Sequence, residues 1–158
     1  LVGMAGAGKS SIGKQLADYL GFGFIDSDLL IETEHQESLQ RVLDRFGKEN
    51  FLKIEEKALM SIEFNNTVLA TGGSAIFSEL AMDYLRSRSS IIFIKVPYDK
   101  IVERVSNFSE RGFLKSSNQT IQQAFNERQL LYNHFADYEV VNDASQEKCL
   151  KKILDLFY

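Results

Sequence analysis

An α/β fold is what this sequence predicts: a five-stranded parallel sheet with helices on both faces. Three observations predict it. Strand-like and helix-like segments alternate along the chain, the pattern that builds parallel sheets with covered faces. Ser90-Ile91-Ile92-Phe93-Ile94-Lys95-Val96 is apolar almost without interruption, as a strand buried on both faces should be. Gly3-Met4-Ala5-Gly6-Ala7-Gly8-Lys9-Ser10 fits G-x-x-x-x-G-K-S/T, a phosphate-cradling loop (P-loop) that runs from a strand into a helix.

The elements follow in order. Leu1-Val2 reads as the end of a buried strand; a complete strand would need several residues more, and the chain begins at Leu rather than Met. Ser11 to Leu20 reads as a helix with Ile12, Leu16, Tyr19 and Leu20 on one face. Phe22 to Ile25 is a short apolar strand ending at Asp26, and Leu29 to Ser61 is helical in pattern with an interruption near Gly47. Val68 to Thr71 is a strand running into Gly72-Gly73, followed by a helix over Leu80 to Arg86. Pro97, the only proline, ends the strand at 90–96, and Tyr98 to Val105 starts another helix. Asn107 to Asn118 is polar, offers few apolar anchors and reads as a mobile loop. Thr120 to Phe135 is helical, Glu139 to Asn142 a last strand, and Ser145 to Phe157 a last helix with Leu150, Ile153, Leu154 and Phe157 facing the core.

The length, 158 residues, fits one domain spanning 1–158 with a sizeable core. With 18 basic and 22 acidic residues the formal charge is −4 and there is no basic block, so bulk nucleic-acid or anionic-membrane binding is not expected. Cys149 stands alone, which leaves no disulfide framework and no cysteine zinc site. It reads as a small packing residue. No apolar run approaches the ~20 residues of a membrane span. The expectation is a cytoplasmic, monomeric enzyme with a small-molecule substrate.

Ligands of such folds bind at the carboxyl ends of the strands. The polar motifs fall there: Gly3 to Ser10, Asp26-Ser27-Asp28 and Gly72-Gly73. In the first, the glycines let the backbone wind around an anion, so that Gly3, Ala5, Gly6, Ala7, Gly8, Lys9, Ser10 and Ser11 would contact the phosphates of ATP or GTP. Lys9 can reach the terminal phosphates and Ser10 can ligate Mg²⁺. In the second, two carboxylates straddle one residue after a strand. If the backbone stays extended they face the same way, one holding Mg²⁺ through water and the other accepting a proton from an attacking hydroxyl. The competing reading is a helix N-cap, with Ser27 or Asp28 capping the Leu29–Glu34 helix. Glu32, Glu34, Glu37, Glu55 and Glu56 read as solvated helix faces. His35 and His134 have neither metal spacing nor a nucleophile partner and read as ordinary helix or surface residues. Taken alone, Arg128 could be a surface helix residue.

The P-loop, the Asp-x-Asp at the second strand, Ala70-Thr71-Gly72-Gly73 and Arg128-Gln129-Leu130-Leu131-Tyr132 together resemble the shikimate kinase family, in order and spacing over nearly the whole chain. The resemblance implies a P-loop kinase that uses ATP and Mg²⁺ to phosphorylate shikimate, with a substrate-binding helical segment over about 29–61 and a lid over about 107–118. Phe46 and Phe51 fall in that helical segment. It implies that Asp26 lies near the Mg²⁺, that Asp28 binds the reacting hydroxyl, and that Gly72 and Gly73 approach the substrate with their backbone. Arg128 would pair with the substrate carboxylate, Arg111 would reach over from the lid, and Arg104 would pack on adenine.

The departures lie at the substrate end. The family motif resembles Gly-Glu-x-x-Phe-Arg-x-x-Glu, whereas the chain reads Gly47-Lys48-Glu49-Asn50-Phe51-Leu52-Lys53-Ile54-Glu55. Leu52 stands where the family has a second carboxylate-binding arginine, Ser74 where it has a third glycine, and Gly112 where it has a lid proline. Lys53 is adjacent, but a helix turns about 100° per residue and carries it elsewhere. Losing one bidentate contact would cost a carboxylate substrate on the order of 2–3 kcal/mol. Kinases of the same scaffold acting on homoserine, gluconate or a nucleoside monophosphate therefore stay open, as does a nucleotide-binding relative without transfer activity.

Overall fold

A computed structural model describes residues 1–106, 108 and 113–157. The elements are α1 (Lys9–Leu20), β1 (Gly23–Asp26), α2 (Ser27–His35), α3 (Leu39–Met60), β2 (Thr67–Ala70), a 3-10 turn (Ala75–Phe77), α4 (Glu79–Arg86), β3 (Ile92–Lys95), α5 (Tyr98–Arg104), α6 (Ile121–Phe135), β4 (Tyr138–Val141) and α7 (Gln146–Leu154). The strands form two parallel pairs. β1 pairs with β2 in the register Phe24 to Val68, and β3 pairs with β4 in the register Phe93 to Glu139. Leu1-Val2 lies between the pairs. Val2 N donates to Ile92 O and Ile94 N to Val2 O, both at 2.9 Å, while Thr71 N donates to Leu1 O at 3.1 Å.

One core cluster joins both pairs to α1, α4, α6 and α7, with Phe93, Ile94, Ile12, Met82, Tyr132 and Ile153 among its fully buried members. β3 is buried at Ile92, Phe93 and Ile94, as its unbroken apolarity required. Cys149 is buried in this core. A second, smaller cluster of Ile31, Leu39, Val42, Phe51, Ala58 and Leu114 holds α2 and α3 together.

Several boundaries differ from the pattern reading. The buried residues of α1 are Lys9, Ile12, Gly13, Leu16 and Ala17, and Tyr19 is 67% exposed. At 100° per residue the centre of that stripe runs on to Leu20, and Tyr19 falls at its edge. The long helical stretch breaks twice. Gly47 breaks α3 with a φ of 74°, as its residue type announced, and Gln36 ends α2 at a φ of 54°, which no glycine marked. α7 ends at Leu154, so Phe157 lies beyond the buried stripe and packs edge-on against Tyr138 at 5.4 Å. The segment expected to have few apolar anchors has three among its described residues. Phe108 and Phe113 pack edge-on at 5.0 Å, and Leu114 is buried in the α2–α3 cluster.

Candidate active site

The loop between Val2 and α1 takes its shape from positions that only glycine suits. Gly6 and Gly8 have φ of 80° and 91°, and a Cβ on Gly6 would come within 2.5 Å of Val105 Cγ2. Gly8 caps α1 without a side-chain hydrogen bond, so the first amide groups of the helix stay available and its positive dipole end faces the cleft. That cleft, about 500 Å³, is lined by Ala5, Gly6, Gly8, Lys9, Ser10 and Ser11 together with Asp28 and Arg104. Gly3 and Ala7 are buried and do not line it. A Cβ on Gly3 would lie 2.6 Å from Ile94 O, so that glycine allows the loop to rest on β3.

Lys9 is folded back into its own loop. Its Nζ donates to Gly3 O at 2.8 Å and Met4 O at 2.9 Å. Burial lowers its pKa to about 8, against the opposing pull of Asp28 and Asp26. Asn142, at the end of β4, ties the loop down from the other side: its Nδ2 donates to Ala7 O at 2.9 Å, and Arg104 donates to Asn142 O at 3.3 Å. Asn142 was not singled out in the sequence, since its partner lies 135 residues away.

The Asp-x-Asp backbone is not extended through both carboxylates. α2 begins at Ser27, so Asp28 sits in the first turn of a helix, and the N-cap is Asp26 rather than Ser27 or Asp28. Asp26 does two things at once. Its Oδ1 accepts from Asp28 N at 3.0 Å and its Oδ2 from Ser10 Oγ at 2.5 Å. Ser27 is buried and accepts from Gly72 N at 2.9 Å, which fixes the end of β2 to the start of α2. Burial raises the Asp28 pKa to about 6; Lys9 opposes the rise, and Asp26 and Glu32 add to it.

Beyond Asp28 lies a second cavity, about 40 Å³, whose lining includes Lys9, Asp28, Phe51, Ser74, Phe113 and Arg128. Arg128 is 2% exposed, not a surface residue. Its guanidinium donates to Gly73 O at 3.2 Å and to Leu114 O, and stacks on Phe113 at 4.2 Å. Its Nε is buried without a partner. Tyr132 also donates to Gly73 O, at 2.7 Å, so the Gly72-Gly73 corner is clamped from α6.

Glu55, read from sequence as a solvated residue, is 2% exposed and faces this corner. A Cβ on Gly72 would fall 2.3 Å from Glu55 Oε1 and 2.5 Å from Asp28 Oδ1, so the two carboxylates meet over a glycine whose enlargement would push them aside. Glu55 Oε2 accepts from Ser74 Oγ at 2.6 Å. Burial raises its pKa to about 7; the hydrogen bond from Ser74 opposes the rise and Asp28 adds to it. A carboxyl whose pKa is higher folded than unfolded binds its proton more tightly when folded, so its stabilising effect is lost as pH rises from the unfolded value towards 7. Glu55→Gln should thus be indistinguishable from the parent in melting temperature near pH 4.5 and more stable by roughly 3 kcal/mol at pH 8. Equal stabilities across that range would show that Glu55 carries no burial penalty.

The structure brings together Lys9, Ser10, Asp26, Asp28, Gly72, Gly73 and Arg128, with Arg104 across the cleft. Arg111 lies outside the described residues. Of the helical-segment aromatics, Phe51 lines the smaller cavity, whereas Phe46 packs against the α2–α3 cluster and edge-on to His35 at 5.4 Å. Leu52 packs against the same cluster and Lys53 is exposed, so the lysine does not take the place of the absent arginine.

A phosphate loop between a strand and a helix of a parallel α/β fold, with a second cavity beside it for an acceptor, is the architecture of a P-loop kinase. The family model for shikimate kinase matches residues 5–157, and the chain belongs to the shikimate kinase family. It is 37% identical to a shikimate kinase of Francisella tularensis subsp. novicida over 97% of this chain and 90% of that protein. It is also 37% identical to one of Blochmanniella floridana over 99% and 90%. Its fold matches a shikimate kinase from Acinetobacter baumannii in complex with shikimate, with a TM-score of 0.87 and 30% identity over 98% of this chain and 89% of that one. The corresponding figures for the enzyme of Aquifex aeolicus are 0.83 and 28%, over 98% and 92%.

Proposed function

We propose that the protein transfers the terminal phosphoryl group of ATP to a hydroxyl of shikimate, giving shikimate 3-phosphate for aromatic amino-acid biosynthesis. The observation that carries the substrate choice is Arg128: a buried guanidinium that donates to the Gly73 and Leu114 carbonyls and stacks on Phe113, in the cavity that Lys9 and Asp28 share. Buried charges are normally paired, and a carboxylate-bearing acceptor supplies the missing partner in the planar geometry that arginine suits.

ATP phosphates lie in the 3–10 loop, with Ser11 at the start of the helix beside them and Arg104 at the adenine end. Lys9 leaves the Gly3 and Met4 carbonyls for the phosphates and neutralises charge on the transferred group. Asp28 accepts the hydrogen bond of the attacking hydroxyl, orients it and takes up its proton, a task suited by a pKa raised towards neutrality. Gly72 and Gly73 offer backbone to the acceptor at close range. The Ser10 hydroxyl and Asp26 carboxylate, in contact at 2.5 Å, form an oxygen donor set that fits Mg²⁺. No group of three or more His, Cys, Asp or Glu among the described residues could cage a metal, which suits an ion held largely by phosphates and water. Bound there, Mg²⁺ would neutralise phosphate charge.

The acceptor cavity has room for a few waters only, so Phe113, which lines it, must withdraw for an acceptor to enter. This supports reading about 107–118 as a lid, and Arg111, outside the described residues, is the cation that the resemblance assigns to it. Residues 1–158 act as one domain, with 29–61 as the substrate-binding segment. Hydrogen bonds on both sides of Leu1-Val2 support one five-stranded sheet. A monomer suffices, since every residue invoked comes from one chain.

The test is coupled ADP release with shikimate, homoserine, gluconate and nucleoside monophosphates. Turnover with shikimate is expected, and turnover with another acceptor alone would overturn the reading. Leu52→Arg adds a specific check. Position 52 is one turn from Glu55 on the same helix face, so a guanidinium there can reach the acceptor side. The KM for shikimate should fall about ten-fold, the worth of a restored charge-assisted pair. An unchanged KM with robust parent turnover would show that Arg128 alone suffices.

A further inference from the structure

Arg128 and, in its ionised form, Glu55 are opposite charges on neighbouring sides of one corner, and they are not paired among the described residues. A Cβ on Gly72 would lie 2.3 Å from Glu55 Oε1, and one on the next residue, Gly73, would lie 3.3 Å from an Arg128 terminal nitrogen. Yet Glu55 and Arg128 do not appear among the ion pairs of the described residues. Arg128 keeps a buried Nε without a partner. Opposite charges in a poorly solvated site attract strongly, and a buried N–H without a partner favours any acceptor that can reach it. Something must hold the carboxylate back. The group in position is Ser74. Its hydroxyl donates to Glu55 Oε2 at 2.6 Å, Ser74 is 6% exposed, and this is the one hydrogen bond to the Glu55 side chain among the described residues. A short hydrogen bond to a carboxylate is strong enough to fix its rotamer.

We infer that Ser74 is a positioning residue: its hydroxyl anchors Glu55 away from Arg128 and so keeps that guanidinium free for the carboxylate of the acceptor. The inference rests on the proposed acceptor for its consequence, though not for its geometry. With the hydroxyl removed, the Glu55 carboxylate turns to Arg128 Nε, and an internal carboxylate competes with the incoming one. The site discriminates by holding off a rival that it carries itself.

Two measurements on the full chain test this in the parent, Ser74→Ala and the double variant Ser74→Ala/Glu55→Gln. The first needs no ligand. The Arg128 Nε–Hε resonance should move downfield and its proton exchange should slow in Ser74→Ala, and both should return to parent values in the double variant. An unmoved resonance would overturn the inference. The second is steady-state kinetics. Ser74→Ala should raise the KM for shikimate about ten-fold, within the range of coupling between groups in contact, with kcat and the KM for ATP little changed. The double variant should recover. A KM rise that persists in the double variant would mean that Ser74 only fills space. If the parent itself does not turn over shikimate, the functional reading fails, and the ligand-free resonance still decides the role of Ser74.

Discussion

Lys9→Ala should lower phosphoryl transfer by about 10³-fold or more while leaving the melting temperature nearly unchanged. The size follows from removing a positioned donor where transition-state charge develops in a site shielded from water. The intact fold follows from how Lys9 sits without nucleotide. It is a buried ammonium whose pKa burial lowers to about 8, so its charge is costly to keep there. Its two hydrogen bonds go to Gly3 O and Met4 O, at the start of the loop and outside any helix. Alanine removes both the cost and the bonds, and these effects offset. The measurement is single-turnover transfer from ATP to shikimate beside a thermal melt. Parent-like transfer by Lys9→Ala would end the assignment of this loop as the catalytic ATP site. A collapsed melt with proportionate loss of activity would show that Lys9 is structural.

What the sequence made legible was whatever depends on residues close together in the chain. The P-loop is a short spacing rule with a fixed outcome, and Gly6 and Gly8 adopt the positive φ that the rule needs. β3 was readable because burial on both faces leaves an unbroken apolar run. The break at Gly47 was readable because glycine is the usual residue at a left-handed φ, and the break at Gln36 was missed because glutamine is not. Asp26 was seen as a functional carboxylate and Ser27 or Asp28 as a cap. Asp26 itself is the cap, and its other oxygen accepts from Ser10, so one carboxylate spans two readings that a pattern treats as alternatives.

The acceptor end was less legible, because long-range contacts make it. Glu55 lies in a charged stretch of a long helix, where a solvated face is the ordinary outcome, and only its meeting with Ser74, Gly72 and Asp28 removes it from water. The resemblance marked Ser74 as a departure without saying what its hydroxyl touches. Arg128 was assigned by resemblance alone, and its burial comes from Phe113 and Leu114, which arrive from a segment that reads as polar loop. With Phe108, those two residues carry the apolar anchoring that the composition of 107–118 as a whole conceals.

Asp28→Asn should cut kcat by roughly 10²–10⁴-fold, the usual worth of a positioned general base, while the Kd for ATP changes by no more than a few-fold. The separation follows from geometry. Asp28 lines both the larger cleft and the smaller cavity, whereas the phosphate contacts proposed above are the loop amides and Lys9. The stability outcome distinguishes this role from capping. Burial raises the Asp28 pKa to about 6, so the folded state disfavours its ionised form, and the cost is fully present once pH exceeds that value. Asparagine carries no charge, so Asp28→Asn should be as stable as the parent at pH 8 or more so, even as it loses turnover. The cap belongs to Asp26, which accepts from Asp28 N at 3.0 Å. Asp26→Ala should therefore lose about 1 kcal/mol of stability and, with Ser10 left unpartnered, require more Mg²⁺ for half-maximal activity. Paired melts at pH 8 and Mg²⁺ titrations of turnover make the comparison. If Asp28→Asn is the variant that loses stability and its kcat stays at the parent level, the Asp28 carboxylate is a structural group, and proton uptake must be assigned elsewhere, with Glu55, which meets Asp28 over Gly72, the next carboxylate to test.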